Sequence, residues 1–596
     1  MKTDFSIQVA TVNGSGSQSS NQILVRALFR SGVPVGAKNL FPSNIAGLPT
    51  WFTIRVSDQG FTARTDNPEI VVAMNPQTLG EDLKSVRRNG LFIYNSEMKV
   101  DAAAVEDHPV KTIGIPFKDI VSSISDSVRL KKLLINMAYV GVLAELLKIP
   151  EETLADSISH QFKGKESVIA PNREAVLAGR AYAREHLKDL DFPYEVNARP
   201  QGSAGKILID GNTSASLGLV FGGCTVVCWY PITPSSSLVE GFSKYAEKYR
   251  RTRDGKADFS VVQAEDELAS ISMVIGAGWA GARAMTATSG PGLSLMAEAA
   301  GLAYYAEVPA VIWNVQRVGP STGLPTRTLQ GDLLSAYTLS HGDTRHVVLL
   351  PANPKDCFED GQNAFDLAER LQTLVIVLSD LDLGMNLHMS QEFSYPEKPF
   401  DRGKVLDEET LKTHAAFGRY KDADGDGIPY RTLPGTESDA AGYFTRGSGH
   451  DEFGNYTESN KVYKSNMDRL ARKLETARTL IPAPRIESRG EKVGLIYFGS
   501  SSECVPEARF LMEQKGLRTD TLQLRALPLH KEVDNFLKDH ERLYVIEQNR
   551  DAQLAGILRM EKPEAATKLF SVLEYDGLPL TARHVAGEIL TKEGKA

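Results

Sequence analysis

"DFSVVQAEDELASISMVIGAGWAGARAMTATSGPGLSLMAEAAGLAYYAEVPAVIWNVQR", residues 258–317, decides the fold. Buried strands such as "PAVIWNV" alternate with Gly- and Ala-rich helical stretches. Their apolar runs are continuous, as strands of a parallel sheet covered on both faces require. Each strand's carboxyl end runs into a loop rich in glycine and hydroxyl residues, and open α/β sheets bind ligands at such ends. The density of small residues in "GAGWAGARA" reads most economically as close helix-to-sheet packing.

The alternation extends outward through "KILIDGNTSASLGLVFGGC", "CTVVCWYPITPSSS" and "TLVIVLSDLDL", so residues 203–390 form one domain. Before it, residues 1–195 make another. "FSIQVATVNGSGSQSSNQILVRALFRSG" is a strand, a turn and a helix with Ile23, Leu24, Ala27 and Leu28 on its apolar face. "EIVVAMN" and "GLFIYNS" are strands, "SVRLKKLLINMAYVGVLAELL" is a helix, and "REHLKDLDFPYEVNARPQGSAG" is a linker. Gly14 and Gly16 permit a tight turn, and the free amides at that helix start could receive a phosphate. A plain strand-to-helix connection explains them equally well. Over 391–488 the alternation fails: the polar, acidic, turn-rich "DADGDGIPYRTLPGTESDAAGYFTRGSGHDEFGNYTESN" predicts an excursion over the surface or across a partner. Residues 489–596 restore strand-helix-strand order. The fold class is therefore α/β, with three α/β domains.

Composition narrows the function. The 596 residues are 42% hydrophobic and 24% charged, as in a soluble globular protein. With 75 acidic against 67 basic side chains the net charge is -8, which argues against a binder of nucleic acid. The N-terminus has no apolar core of signal-peptide length, and no apolar stretch reaches about 18 residues, so a cytoplasmic protein with no membrane role is expected. Cys224, Cys228, Cys357 and Cys504 are too few and scattered for a disulfide framework or an iron-sulfur centre, and Cys224 and Cys228, in the apolar "GGCTVVCWY", are expected to be buried, inert thiols.

Two patterns in the excursion imitate ligand sites. Asp422, Asp424, Asp426 and Gly427 copy the start of a calcium loop, but its twelfth position is Leu433 and Pro429 interrupts it. A solvated acidic turn is the better reading. The same "GDG", with Asn455 further on, imitates a diphosphate and magnesium signature, yet it lacks the strand before and the helix after.

Chemistry is expected in the middle domain. Glu265, Asp266 and Glu267 open a helix after "FSVVQA". They are either favourable charge in a first turn or include one carboxylate facing a dry cleft. Arg317 is either a bidentate anion receptor or a structural ion pair. Thr322, Thr326 and Thr328 follow it in a loop as hydroxyl donors or turn formers. In "CWYPITPSSS", residues 228–237, Pro231 stiffens the approach and Pro234 biases Thr233 away from helical backbone.

"YPITPSS", the "EDELASI" helix, "TATSGPGLSLM" and "QRVGPSTGLPTRTLQGDL", in that order, resemble the α subunit of 2-oxoacid:ferredoxin oxidoreductases, over nearly the whole chain. The resemblance implies a fused γ-like domain in the first segment and a pyrimidine-binding, doubly wound parallel sheet in the middle. It implies a transketolase C-terminal-like domain at the end. It further implies thiamine diphosphate shared with a β subunit, Mg2+ and a [4Fe-4S] cluster on that partner, coenzyme A as cosubstrate, ferredoxin as electron partner and an (αβ)2 assembly. Glu267 would hydrogen-bond N1' of the aminopyrimidine and favour its imino tautomer. Pro231, Ile232 and Ser289 would line the cofactor, and Thr233, Arg317 and Thr326 would hold the substrate carboxylate. "GSGSQ" departs from the family's Gly-x-Gly-Gly-Gln. The fused arrangement favours 2-oxoglutarate over pyruvate or branched-chain 2-oxoacids. A non-catalytic assembly subunit, and a thiamine-dependent transketolase or dehydrogenase relative, are the rivals.

Overall fold

The computed structural model describes residues 2–42, 47–413 and 417–595. The first segment builds a six-stranded sheet from β1 (Asp4–Val12), β2 (Val35–Leu40), β3 (Pro49–Ser57), β4 (Ile70–Ala73), β5 (Leu91–Asn95) and β6 (Lys111–Ile115), in the order β2-β3-β1-β4-β5-β6. β1, β4, β5 and β6 are parallel, as the alternation predicts, while β2 and β3 extend the sheet as an antiparallel pair. Ile23, Leu24, Ala27 and Leu28 of the Ser17–Arg30 helix are all fully buried against it. The expected linker begins inside a helix that runs to His186. Its remainder is strapped to the first segment through Glu195 N to Lys2 O (3.2 Å) and Arg199 N to Ser31 O (2.7 Å).

In the middle segment β7 (Lys206–Ile209) is followed by β8 (Val226–Trp229), β9 (Ser260–Gln263), β10 (Ala284–Thr288), β11 (Ala310–Gln316), β12 (Val347–Leu349), β13 (Leu374–Asp380) and β14 (His388–Gln391). Strands β12-β13-β11-β10-β8-β9 form the parallel sheet that the continuous apolar runs predict. Side chains alternate between its faces. Val311, Trp313 and Val315 pack with Leu219, Phe242 and Phe365 on one side; Ile312 packs with Ile271, Val274 and Ala300 on the other. The sheet is thus doubly wound. Two details differ from the sequence reading. β7 does not join this sheet but pairs antiparallel with β14, because an apolar run states burial and not its partner. β9 lies at the edge, with Val262 38% exposed, so "FSVV" is not a buried strand.

The last segment contributes β15 (Arg485–Glu487), β16 (Val493–Phe498), β17 (Asp520–Leu524), β18 (Ala526–Leu527), β19 (Arg542–Glu547) and β20 (Leu569–Leu573). β15-β17-β16-β19-β20 form its sheet, but β18 leaves it and pairs antiparallel with β12 as the seventh strand of the middle sheet. The second core face continues unbroken into Ile496, Phe498 and Leu554 of the last segment.

The polar excursion runs largely over the surface, as composition predicts, and is anchored at a few buried points. Glu369 accepts from Arg283 Nε (2.8 Å), Arg402 Nη1 (2.7 Å) and Arg431 Nη2 (3.3 Å). The fully buried Glu307 pairs with Arg469 and with Lys473 Nζ at 2.7 Å, and its carbonyl accepts from Arg419 Nη2 at 2.6 Å. These anchors could not be read from composition, because guanidinium groups read as solvated until their buried carboxylate partners, far away in sequence, are known. Among the described residues no helix is long and apolar enough to cross a membrane.

Candidate active site

The carboxyl ends of β8, β10 and β11 meet at one place. After β8 the chain enters "YPITPSSS", in which Pro231 is exposed and Ile232 and Thr233 are half-buried. The Ile232 carbonyl accepts from the Ser235 and Ser236 amides (2.9 and 3.2 Å) and from Ser235 Oγ (2.9 Å), so the serines close a turn. Asn212 Nδ2 supports it from below, donating to Pro234 O (2.9 Å) and Ser237 Oγ (2.8 Å). The Thr233–Pro234 peptide is cis. Arg317, one residue past β11, donates from Nη1 to Thr233 O at 2.7 Å, while its buried Nε has no partner among the described residues.

Three consecutive acids divide their roles. Asp266 is the N-cap of the Glu267–Trp279 helix and accepts from Ala269 N at 2.8 Å. Glu265 is exposed, and Glu267 is turned inward with 6% exposure. Glu267 lies against the end of β10: a Cβ added to Gly292 would stand 2.7 Å from Glu267 Cγ and 2.0 Å from Thr288 Oγ1. Glycine is required by that approach. Thr286 Oγ1 and Ser289 Oγ, buried beside it in sequence, are unpartnered among the described residues, as is Asn314 Oδ1. A shelf with a buried carboxylate and unspent hydroxyl groups fits a flat, nitrogen-bearing ring with donors and acceptors on its edge.

Asp332 bridges the two groups of residues and escaped the sequence reading. Its Oδ2 accepts from Asn314 Nδ2 (2.8 Å), its amide donates to Gln316 Oε1 (3.0 Å), and its carboxylate would meet a Cβ on Gly290 at 3.0 Å. Burial pushes the Asp332 carboxyl up, with the Asn314 hydrogen bond and the Arg317 charge opposing; burial also lowers the Arg317 guanidinium. The available signal was Asn314 and Gln316, two polar residues inside the otherwise apolar "AVIWNVQ".

Thr326 stands next to Arg327, whose carbonyl accepts from Val318 N at 3.1 Å, so the loop folds back beside Arg317. Thr326 also lines a cleft of about 270 Å3 among the three segments, with Lys38, Arg64 and Asp382, whose walls do not include Thr233 or Arg317. Lys38 Nζ there binds Asp382 at 2.8 Å and Glu503, which together hold its ammonium charged against burial. The first-segment loop lines a separate cleft of about 470 Å3 with Asn13, Gly14, Gly16, Ser17 and Gln18. The four cysteines are free and buried; burial pushes the Cys224 thiol up to about 12. In the acidic turn Asp424 and Asp426 hold Lys404 Nζ at 2.6 and 2.8 Å, and Asp422 pairs with Arg472 at 3.1 Å.

Known proteins resemble this chain along its whole length. A family model described as pyruvate flavodoxin/ferredoxin oxidoreductase, thiamine diphosphate-binding, matches residues 218–426, and one described as pyruvate ferredoxin/flavodoxin oxidoreductase matches residues 6–182. The α subunit of 2-oxoacid:ferredoxin oxidoreductase 2 of Aeropyrum pernix is 32% identical over 98% of this chain and 97% of its own length. The 2-oxoglutarate synthase subunit KorA of Archaeoglobus fulgidus is 37% identical over 54% of this chain and 81% of its own length. The solved 2-oxoglutarate:ferredoxin oxidoreductase of Magnetococcus marinus, bound to 2-oxoglutarate, coenzyme A and succinyl-CoA, superposes with a TM-score of 0.89 at 29% identity, covering 100% of both chains.

Proposed function

The chain belongs to the 2-oxoacid:ferredoxin oxidoreductase α subunits with a fused γ domain, and from that premise we propose that it works on 2-oxoglutarate. With a β subunit it converts 2-oxoglutarate and coenzyme A to succinyl-CoA and CO2, passing electrons to ferredoxin, in a reversible reaction. The observation that carries this reading is the Thr233–Arg317 pair beside the Glu267 shelf, in a chain that aligns end to end with the Magnetococcus enzyme.

Thiamine diphosphate, when bound, supplies a nucleophilic carbon and an electron sink. The shelf suits its aminopyrimidine half: Glu267 would hydrogen-bond N1' and hold a proton there, and Pro231, Ile232 and Ser289 would line the ring. Arg317 supplies charge to the substrate carboxylate and Thr233 supplies direction; the Thr233 hydroxyl makes no hydrogen bond among the described residues. Thr326 is a weaker third contact to that carboxylate and also lines the cleft among the three segments. Mg2+, the diphosphate and a [4Fe-4S] cluster are assigned to the β subunit, in a cytoplasmic (αβ)2 assembly. Residues 1–195, 203–390, 391–488 and 489–596 are the γ-like, pyrimidine-binding, connecting and transketolase C-terminal-like parts.

Co-purification with the β subunit and assay of coenzyme A-dependent viologen reduction tests all of this. The expected order is 2-oxoglutarate above pyruvate and branched 2-oxoacids. Activity from this chain alone would overturn the two-subunit reading.

A further inference from the structure

The segment that carries Arg317 and Asp332 is fastened by a domain that contributes no side chain to the shelf or to the Thr233–Arg317 pair. Gln330 is fully buried, and its hydrogen bonds all run to the last segment. Its amide donates to Gln548 O (2.7 Å) and its carbonyl accepts from Asn549 Nδ2 (3.1 Å). Its side-chain Oε1 accepts from Gln548 N (3.0 Å) and Ser501 Oγ (3.0 Å), and Nε2 donates to Phe498 O (3.0 Å).

These partners dictate an amide. Gln548 N is only a donor and Phe498 O only an acceptor, so one end of the side chain must be each. A carboxylate would face the Phe498 carbonyl, and a hydrocarbon would leave both backbone groups orphaned. Gly499 makes room: its φ is +54°, and a Cβ there would stand 2.9 Å from Gln330 Nε2. Neighbouring bonds follow the same direction, Thr328 N to Gly577 O (3.1 Å) and Gln553 Nε2 to Gly331 O (2.7 Å). At the far end the Asp332 amide closes on Gln316, beside Arg317.

We propose that Gln330 is a positioning residue through which the C-terminal domain sets the placement of Arg317 and Asp332. This rests on Arg317 receiving the substrate carboxylate. In the assembled enzyme, Gln330→Leu should raise KM for 2-oxoglutarate about tenfold to a hundredfold, since a small misplacement remote from the chemistry is felt at that scale. Thiamine diphosphate affinity should change less than KM, because Glu267 is held by its own helix and not by the 318–332 segment. Ser501→Ala, which removes its bond to Gln330 Oε1 and the longer one it accepts from Gln548 Nε2 (3.3 Å), should give a smaller rise in KM. Hydrogen exchange of peptides spanning 318–332 should accelerate in both variants. Protected peptides in the variants, or a loss of cofactor affinity as large as the rise in KM, would overturn the proposal. Faster exchange with an unaltered KM would likewise overturn the link from Gln330 to the site. Failure of the underlying reading shows separately, as a wild-type complex that does not turn over any 2-oxoacid.

Discussion

Arg317 reaches across from the end of β11 to hold the main-chain carbonyl of Thr233 at 2.7 Å. One guanidinium edge is therefore committed to the loop, and Nε is free for a ligand among the described residues. Arg317→Ala should raise KM for 2-oxoacids by a factor corresponding to about 2–5 kcal/mol, the usual cost of removing one partner of a desolvated charge pair. Arg317→Lys should recover little, since a point charge cannot hold loop and carboxylate together. Steady-state kinetics of the assembled enzyme decides it, and an unchanged KM removes Arg317 from the site.

Glu267→Gln should slow exchange of the thiazolium C2 proton by about 10²–10⁴-fold, the range typical of a positioned acid-base group. Exchange at the wild-type rate would refute its role.

Gly292→Ala attacks the same shelf without touching charge. The new methyl group collides with Thr288 Oγ1 and Glu267 Cγ, and overpacking of this kind costs about 1–3 kcal/mol. A drop in kcat with a small fall in Tm is expected; a variant with wild-type kcat would show that Glu267 tolerates displacement.

Glu307→Gln tests the buried cluster that fastens the excursion. Arg469 and Lys473 hold the Glu307 carboxyl at about 2 against a burial that would raise it. Breaking such a pair typically costs about 3–5 kcal/mol, read as a lowered denaturation midpoint at pH 7. Because the folded value is depressed, that stability is present above the ordinary 4.5 and is lost as pH falls toward 2. The variant and wild type should therefore converge in acid.

Asp360 works in the opposite sense. Burial, with Asp356 beside it, pushes its carboxyl up from 3.8 to about 7. The folded state binds the extra proton between those values, so stability declines as pH rises from about 4 through 7. Asp360→Asn should raise the midpoint at pH 8, by roughly 2–4 kcal/mol, and confer nothing below pH 4. A pH series of thermal unfolding checks both ends.

Legibility followed the hydrophobic pattern closely. "PAVIWNV" and "TLVIVLSD" could be placed in a covered parallel sheet because burial on both faces leaves a continuous apolar run. "KILI" carries the same signal yet belongs to a two-stranded ribbon, since pairing depends on chain elsewhere. Glu267 and Arg317 stood out as candidates because a carboxylate before an apolar helix and an arginine ending an apolar strand contradict their surroundings, while the roles given to them came only from the family resemblance. Asp332, Gln330 and Arg431 were not. Each is an ordinary polar residue in a polar stretch, and only partners 16 to 219 positions distant give it meaning.

The crossing of β18 onto β12 bears on how this polypeptide could ever be divided. A cut after residue 488 looks harmless in the sequence, falling between polar turns. It would strip the outermost strand from the middle sheet and leave that edge of β12 unpaired, including the Leu350 amide that donates to Arg525 O at 2.8 Å. Exposed edges of that kind recruit other chains. Fragments separated there should coprecipitate or re-associate, and expression of the middle portion by itself should require residues 526–527 supplied in trans.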